Sequence, residues 1–199
     1  GYGFDLYLAR KATSPSTRLT GWASWTWGID ERNAYDLTLP FDYDRRHAFT
    51  LVGSYRPSQK WEIAATGRAS SGFPRTAPVG LRVKAVEDPL SPGPVRTLIP
   101  EKDSLGNYVF TPDLGPLDNL NSTKLPFFAR LDLRVTWKPR GTTGRWLFYL
   151  DFINATNRKN AGAINDTLEY NPGSDQPRLV EEKTASIPFL PSFGVKFRF

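Results

Sequence analysis

The sequence predicts an all-β fold and, more narrowly, an antiparallel transmembrane β-barrel segment of about seven strands. Three observations predict it: apolar and polar residues alternate with a period of two, the alternating segments are long, and short connections alternate with long ones. A strand that spans a bilayer needs about 9–11 residues, whereas the average strand of a soluble sheet has about 5–6. Outer-membrane barrels also carry short turns on one rim and long loops on the other.

Seven alternating segments justify the strand prediction. In chain order, they are residues 2–11, 17–29, 46–56, 61–69, 129–137, 146–152 and 193–199. In segment 129–137 every odd position is apolar and every even position is charged or hydroxylic, which gives the strand one apolar and one ionic face. The predicted extracellular loops are about 30–45, 71–126 and 155–188, and the connections between the other strands are short.

The ionic faces of these strands are assigned to a polar barrel lumen, because lipid-facing and lumen-facing residues alternate in such barrels. The predicted lumen-facing residues are Arg130, Asp132, Arg134, Asp151, Glu62 and Arg68. Tyr55, Trp61, Trp137 and Trp146 all fall beside short turns. That position suits an aromatic girdle at a membrane interface.

The composition excludes several function classes. Hydrophobic residues make up only 39% of the 199 residues, but 14% are aromatic, which is too many for a disordered chain. The charge-free stretches are too short for a transmembrane helix. The absence of cysteine removes disulfide frameworks, zinc fingers and thiol catalysis. A net charge of +6 is compatible with phosphate groups of either nucleic acid or lipid.

The last strand carries a motif that resembles the β-signal of bacterial outer-membrane proteins. Its elements are polar Ser192, Gly194 two positions later, and aromatic Phe197 and Phe199 at the end of the sequence. The resemblance implies recognition by the barrel-assembly machinery. A strand with an open edge can pair with an assembly partner through its backbone while alternate side chains fill pockets.

A series of motifs, taken in their order along the chain, is similar to the late barrel of TonB-dependent receptors. These motifs are FDYDRRH (41–47), KWE (60–62), SGFPRT (71–76), RLDLR (130–134), FINATNRKN (152–160) and IPFLPSFG (187–194). The resemblance implies that residues 1–199 are the C-terminal part of a 22-stranded outer-membrane barrel of a Gram-negative-type bacterium. Such receptors import a scarce nutrient, a siderophore, cobalamin, glycan or peptide.

The same resemblance implies the partners. They are outer-membrane lipid, the barrel-assembly machinery, the remaining barrel strands and a plug in the same or another chain, and the TonB system through that plug. Nucleic acid is not among them, and no cofactor is implied.

Two other interpretations stay open. The chain could be a soluble basic β-domain that uses arginine and exposed aromatic residues to bind single-stranded nucleic acid or polysaccharide. It could also be an independent small outer-membrane barrel of eight strands, if segment 79–86 or 107–111 supplies the eighth strand. We favour the small barrel least, because both segments are short and lie in a proline-rich stretch.

No residue is assigned to catalysis, to a cofactor or to a metal, and the expected function is not enzymatic. Asp42, Asp44 and His47 are the nearest approach to a metal-ligand set, but the sequence holds one histidine and no second cluster. Arg130, Asp132 and Arg134 with Asp151 could form acid and base pairs. An ionic ladder along a polar wall is the simpler interpretation.

Overall fold

A computed structural model describes residues 1–90, 97–139, 145–171, 174 and 176–197. Its regular structure is β-strand apart from one 3-10 turn, Leu117–Asn119. Seven strands form the main sheet: β1 (Tyr2–Arg10), β2 (Leu19–Ile29), β5 (His47–Tyr55), β6 (Trp61–Ser70), β13 (Phe128–Trp137), β14 (Trp146–Ile153) and β17 (Leu190–Phe197).

Ten further strands lie in the long connections of this sheet. They are β3 (Glu31–Ala34), β4 (Leu37–Pro40), β7 (Pro74–Arg75), β8 (Gly80–Val83), β9 (Ala85–Glu87), β10 (Leu98–Pro100), β11 (Phe110–Asp113), β12 (Thr123–Lys124), β15 (Ala161–Glu169) and β16 (Arg178–Ala185). β3 pairs with β4 and β15 with β16 as hairpins. The second long connection holds three nested pairs: β9 with β10 is innermost, β8 with β11 encloses it, and β7 with β12 is outermost.

The main sheet has the order β1-β2-β5-β6-β13-β14-β17, and every neighbouring pair is antiparallel. The all-β class and the seven-stranded antiparallel sheet predicted from the sequence are therefore confirmed. The sheet is open rather than a closed barrel, since within the described residues β1 pairs only with β2 and β17 only with β14. Seven alternating strands place β1 and β17 in the same direction, so closing them on each other would require parallel pairing.

The proposed routes to an eighth strand are wrong. Gly80–Val83 and Phe110–Asp113 pair with each other in a separate two-stranded sheet and do not join the main one. The reason is topological, because both segments lie on one long connection and fold back on each other before the chain returns to β13.

The strand register sorts the side chains of the main sheet onto two different faces. The apolar face includes Phe4, Leu6, Leu8, Trp25, Phe49, Leu51, Ile63, Leu131, Leu133, Val135, Leu150 and Phe193, which stand opposite apolar or small partners. The polar face includes Thr26, Thr50, Thr66, Arg68, Arg130, Asp132, Arg134, Asp151 and Ser192. Because successive strand residues point to opposite sides, the period-two pattern produces this separation directly.

Burial in this molecule is opposite to that of a soluble domain. In the described part of the chain Leu39 is the one buried hydrophobic residue, while Asp44, Asn121, Asn154 and other polar residues are buried. On the apolar face Leu51 remains 58% exposed and Phe193 70% exposed. The described residues contain no helix with the length and hydrophobicity needed to span a bilayer.

Candidate functional site

Aromatic rings cluster on the apolar face where the strands meet the short turns. Trp61 lies opposite Trp137 in the register, and their ring centroids are 6.2 Å apart. Trp137 packs on Phe148 at 5.5 Å, and Trp146 packs on Phe197 at 4.6 Å. Neighbouring aromatic pairs of this kind stabilise a sheet. The rings form a continuous band across β6, β13, β14 and β17.

A second aromatic cluster lies at the other end of the apolar face, next to the long connections. Trp25 is stacked on Phe49 with centroids 5.7 Å apart and meets Phe4 edge-on at 5.2 Å. The indole N–H of Trp25 donates to Nδ1 of His47 at 3.3 Å. The apolar face is thus bounded by aromatic side chains at both ends.

The polar face carries ion pairs between the predicted lumen residues. Arg134 holds Asp151 on the adjacent strand in a bidentate pair, with N···O distances of 2.6 and 2.8 Å. Arg130 and Asp132 are on one strand, with Nε 2.7 Å from Oδ1. Asp132 Oδ1 also accepts the backbone N–H of Asn154 at 2.9 Å. The structure therefore brings four of the predicted residues together as two neighbouring pairs along one wall.

The other two predicted polar residues differ in their surroundings. Glu62 accepts a hydrogen bond from Ser54 at 2.9 Å and lies 3.2 Å from Arg56 Nε and 3.4 Å from Lys138 Nζ. Arg68 is exposed, faces Arg130 in the register, and has no ion-pair partner among the described residues. The polar face consequently has an excess of positive charge near Arg68.

The residues of the predicted assembly signal lie on both faces of β17. Ser192 stands opposite Asp151, and Gly194 opposite Tyr149, on the polar face, while Phe197 packs on the apolar face. Phe199 lies outside the described residues. A Cβ added to Gly194 would overlap the Tyr149 ring, so the glycine makes room for that ring.

Asp44 anchors the first long connection shortly before β5 begins at His47. Its carboxylate is 1% exposed; it accepts Arg46 Nε at 2.8 Å and the Asp30 backbone N–H at 3.0 Å, and Lys124 Nζ lies 3.5 Å away. Burial opposes ionisation, but these hydrogen bonds and the two cations outweigh it and hold the pKa of Asp44 below its ordinary value of 3.8. The ionised carboxylate therefore links the first long connection to the second.

Asn121 makes a second link between the same two connections. Its side-chain amide donates to the carbonyl of Pro40 at 2.9 Å and to Asp42 at 2.7 Å, and its backbone N–H donates to the Thr76 hydroxyl. Arg75 joins the second connection to the third, because it binds both carboxylate oxygens of Asp166 at 2.7 and 2.8 Å. The three long connections thus form one linked assembly above the sheet.

Asn154 and Asn160 organise the chain where β14 ends. The amide of Asn154 is fully buried and donates to the carbonyls of Arg158 and Ile187 at 3.1 and 3.0 Å. Asn160 bonds both the N–H and the carbonyl of Ala129, at 2.9 and 2.8 Å. The ladder of β14 with β13 stops at Phe152, so the segment 154–160 takes its place beside β13.

Sequence reasoning missed the roles of Asp44, Asn121, Asn154 and Asn160. Positive φ angles at Asn121 (58°) and Asn154 (51°) suit asparagine, which tolerates the left-handed region. An asparagine inside a predicted connection is nevertheless a common residue, so the signal alone could not have selected these positions.

The candidate metal ligands do not form a site in the structure. Asp44 is engaged by Arg46, His47 Nδ1 accepts from an indole N–H, and Asp42 accepts the Asn121 amide. In the described part of the chain no three histidine, aspartate or glutamate side chains group as metal ligands would.

Comparison with protein families, curated proteins and solved structures yields no significant match to this chain.

Proposed function

We propose that this chain is a section of the wall of an outer-membrane β-barrel importer in a Gram-negative-type bacterium. The observation that carries the proposal is the apolar face of the main sheet, which is exposed, continuous over seven strands and bounded by aromatic rings at both ends. Transmembrane barrels have such an apolar band between two aromatic girdles.

The size of the apolar face favours lipid over water. A soluble monomer rarely exposes an apolar patch beyond about 300–600 Å². From Trp61 to Ala69 the face runs nine residues, and the eight steps between them correspond to about 26 Å along the strand and, with a barrel tilt, about 20 Å of bilayer. That span covers most of the about 25 Å apolar band of outer-membrane barrels.

The polar face supports a lumen more than a nucleic-acid site. Arg130 and Arg134 are each engaged by an aspartate, Asp132 and Asp151 respectively. A surface that binds phosphates depends on basic side chains that are not already neutralised. Paired charges are suited to a barrel wall that faces a water-filled lumen and an internal plug.

The import function rests on the motif resemblance to TonB-dependent receptors, together with the arrangement of the connections. All long connections join the strands at the same end of the sheet. There they form a linked assembly in position to meet an external ligand. In the proposal, the unpaired edges of β1 and β17 join further strands, from the same polypeptide or another, because open edges in lipid cost several kcal/mol per unsatisfied group. A plug in that barrel would receive energy from the TonB system.

The test compares Leu51→Arg with Val52→Arg in the native protein. These neighbours in β5 are both aliphatic, but Leu51 lies on the apolar face and Val52 on the polar face. An arginine facing lipid near the bilayer midplane costs roughly 2–4 kcal/mol, whereas a lumen position is largely spared. We expect Leu51→Arg to reduce assembly strongly and Val52→Arg to assemble, measured as the heat-modifiable gel band of outer-membrane extracts.

Equal assembly of the two variants would contradict the membrane assignment. A protein that stays monodisperse without detergent would instead favour the soluble β-domain. A heat-modifiable band with the mass of this chain alone would show that the chain closes without further strands and would contradict the proposed wall section.

A further inference from the structure

A pocket with basic walls lies at the short-turn end of the main sheet. It encloses about 400 Å³ between the short connections 11–18 and 56–60 and the end of β13. The two connections carry Lys11, Arg18, Arg56 and Lys60 and no aspartate or glutamate. The volume of the pocket lies within the range of about 300–1,000 Å³ that is typical of ligand sites.

Three cations line this pocket: Arg18, Arg56 and Lys138. Two of them share one carboxylate, because Glu62 Oε2 lies 3.2 Å from Arg56 Nε and 3.4 Å from Lys138 Nζ. Arg18 is exposed and forms no ion pair among the described residues. With Glu62 as the single carboxylate in contact with these cations, two positive charges remain uncompensated.

The pocket opens on the polar face of the sheet. Leu19 and Tyr55 are register partners on the apolar face, and Arg18 and Arg56 are the next residues outward on these two strands. The backbone N–H of Arg56 donates to the carbonyl of Arg18 at 2.8 Å, so the pairing continues and places both residues on the polar side. In the proposed barrel the pocket therefore lies at the short-turn mouth of the lumen, away from lipid.

Neutral hydrogen-bond donors complete the lining, among them Ser16, Ser58 and Gln59. Ser58 Oγ accepts the backbone N–H of Lys60 at 3.3 Å, which leaves the hydroxyl hydrogen of Ser58 available to a ligand. A guanidinium group donates in a planar fork that matches the oxygens of a carboxylate or a phosphate. A terminal phosphate group offers three oxygens to this number of donors, whereas a carboxylate offers two. The lining therefore suits a phosphate group better than a carboxylate.

We infer that this pocket binds the phosphate group of a soluble ligand, held by Arg18, Arg56 and Lys138. A phosphate group carries a charge of about −1.5 to −2 near neutral pH, which matches the two uncompensated positive charges. The inference goes beyond the proposed function and does not depend on it, since the polar face and the short connections form the pocket by themselves. Neutralisation of Glu62 does not explain the pocket, because Arg18 lines it without meeting a carboxylate.

The test is a calorimetric titration of the native protein, in non-ionic detergent, with pyrophosphate as the probe. We expect saturable binding that Arg18→Gln weakens about ten-fold, because the substitution removes a charged donor that no carboxylate of the pocket neutralises. Arg10→Gln is the matched control. Arg10 lies at the same end of the sheet but on the apolar face, so its substitution should leave the affinity unchanged.

Glu62→Gln distinguishes an anion site from cations that only neutralise Glu62. The amide keeps an oxygen for the Ser54 hydroxyl but removes the negative charge that Arg56 and Lys138 share. We expect the affinity for pyrophosphate to rise several-fold. An affinity that stays the same or falls would overturn the anion site, as would a wild-type protein that does not bind pyrophosphate.

Competition identifies the source of the phosphate group. Inorganic phosphate should displace pyrophosphate, whereas phosphatidylglycerol in the detergent micelles should not, because the pocket faces away from the apolar side. Displacement by phosphatidylglycerol would assign the pocket to a lipid headgroup and overturn the soluble ligand. Equal losses in Arg18→Gln and Arg10→Gln would indicate general attraction to a basic rim and would also overturn the site. The membrane assignment is tested separately, by Leu51→Arg, and is unaffected by these outcomes.

Discussion

The main sheet and the linked connections above it are built on opposite principles. On the sheet, large apolar side chains such as Leu51 and Phe193 are exposed and only weakly packed by the chain itself. In the connections and at the adjoining strand ends, the buried groups include Asp44, Asn121 and Asn154, and each has several hydrogen-bond partners. The main sheet therefore exposes its apolar side chains, whereas the connections satisfy their buried polar groups with hydrogen bonds from within the chain.

The difference shows where individual residues matter. The stability of the sheet is distributed over backbone ladders and many similar side chains, so most single aliphatic substitutions within it should be mild. A buried polar group is costly once a partner is lost, because it then has neither water nor a hydrogen bond. The connections should therefore respond more sharply to single substitutions than the apolar face does to changes among aliphatic residues.

The largest effect is expected for Asn154→Gly. Glycine keeps the backbone freedom needed at a φ of 51° but removes an amide that donates to two carbonyls and accepts the Arg158 N–H. With several buried groups left unsatisfied, we expect the free energy of unfolding to fall by roughly 3–5 kcal/mol. The measurement is denaturant unfolding of the native protein in detergent.

Leu150→Ala, at an exposed residue of the apolar face on β14, the strand that Asn154 directly follows, is the matched comparison for Asn154→Gly. In detergent it should cost less than the asparagine substitution. If Leu150→Ala proved the more damaging, the contrast between the two regions would be wrong.

The sheet was predictable from the sequence, whereas the linked connections were not. Alternation with a period of two specifies which residues form strands and which face each occupies, and this information is local. The seven strands were found for that reason. Asn121 bonds Pro40 and Asp42, about 80 residues earlier in the chain, and no local pattern specifies such a pair.

The ion pairs of the polar face could be predicted only in part from the sequence. Alternation placed Arg134 and Asp151 on an ionic face, but it could not show that they pair directly, because pairing depends on the register between β13 and β14. Most of the hairpins inside the long connections were also missed. Their strands are mostly two to four residues long, too short for a periodic signal to be distinguished from irregular loop.

An intermediate effect is expected for Asp44→Asn, and it should depend on pH. The pKa of Asp44 is lowered in the folded protein, so ionisation stabilises the fold at pH values above the ordinary 3.8. This contribution is lost as the pH falls through the lower folded-state pKa. Near neutral pH we expect a loss of about 2 kcal/mol, because hydrogen bonds to a charged group are replaced by neutral ones.

The check is the difference in unfolding free energy between the wild type and Asp44→Asn, measured at pH 7 and again near pH 3. The difference should shrink at the acidic value. Asp36→Asn, at an exposed turn of the same connection, should show little difference at either pH. A difference for Asp44→Asn that grew on acidification would contradict the assigned ionisation.

The smallest effect is expected for Gly194→Ala. Gly194 lies on the main sheet, but like the buried positions of the connections it depends on one specific neighbour. The ring of Tyr149 occupies the space where a Cβ would be, and the Arg134 guanidinium lies 4.6 Å from the centroid of that ring on the polar face. Because Arg134 is itself held by Asp151, the ring has limited freedom to move aside, and overpacking of this kind costs about 1–2 kcal/mol. In a Tyr149→Ala background the cost of Gly194→Ala should disappear, which a double-mutant cycle of unfolding free energies measures. If glycine were needed here only for recognition by an assembly partner, Gly194→Ala would reduce assembly equally with and without Tyr149, and the cycle would show no coupling.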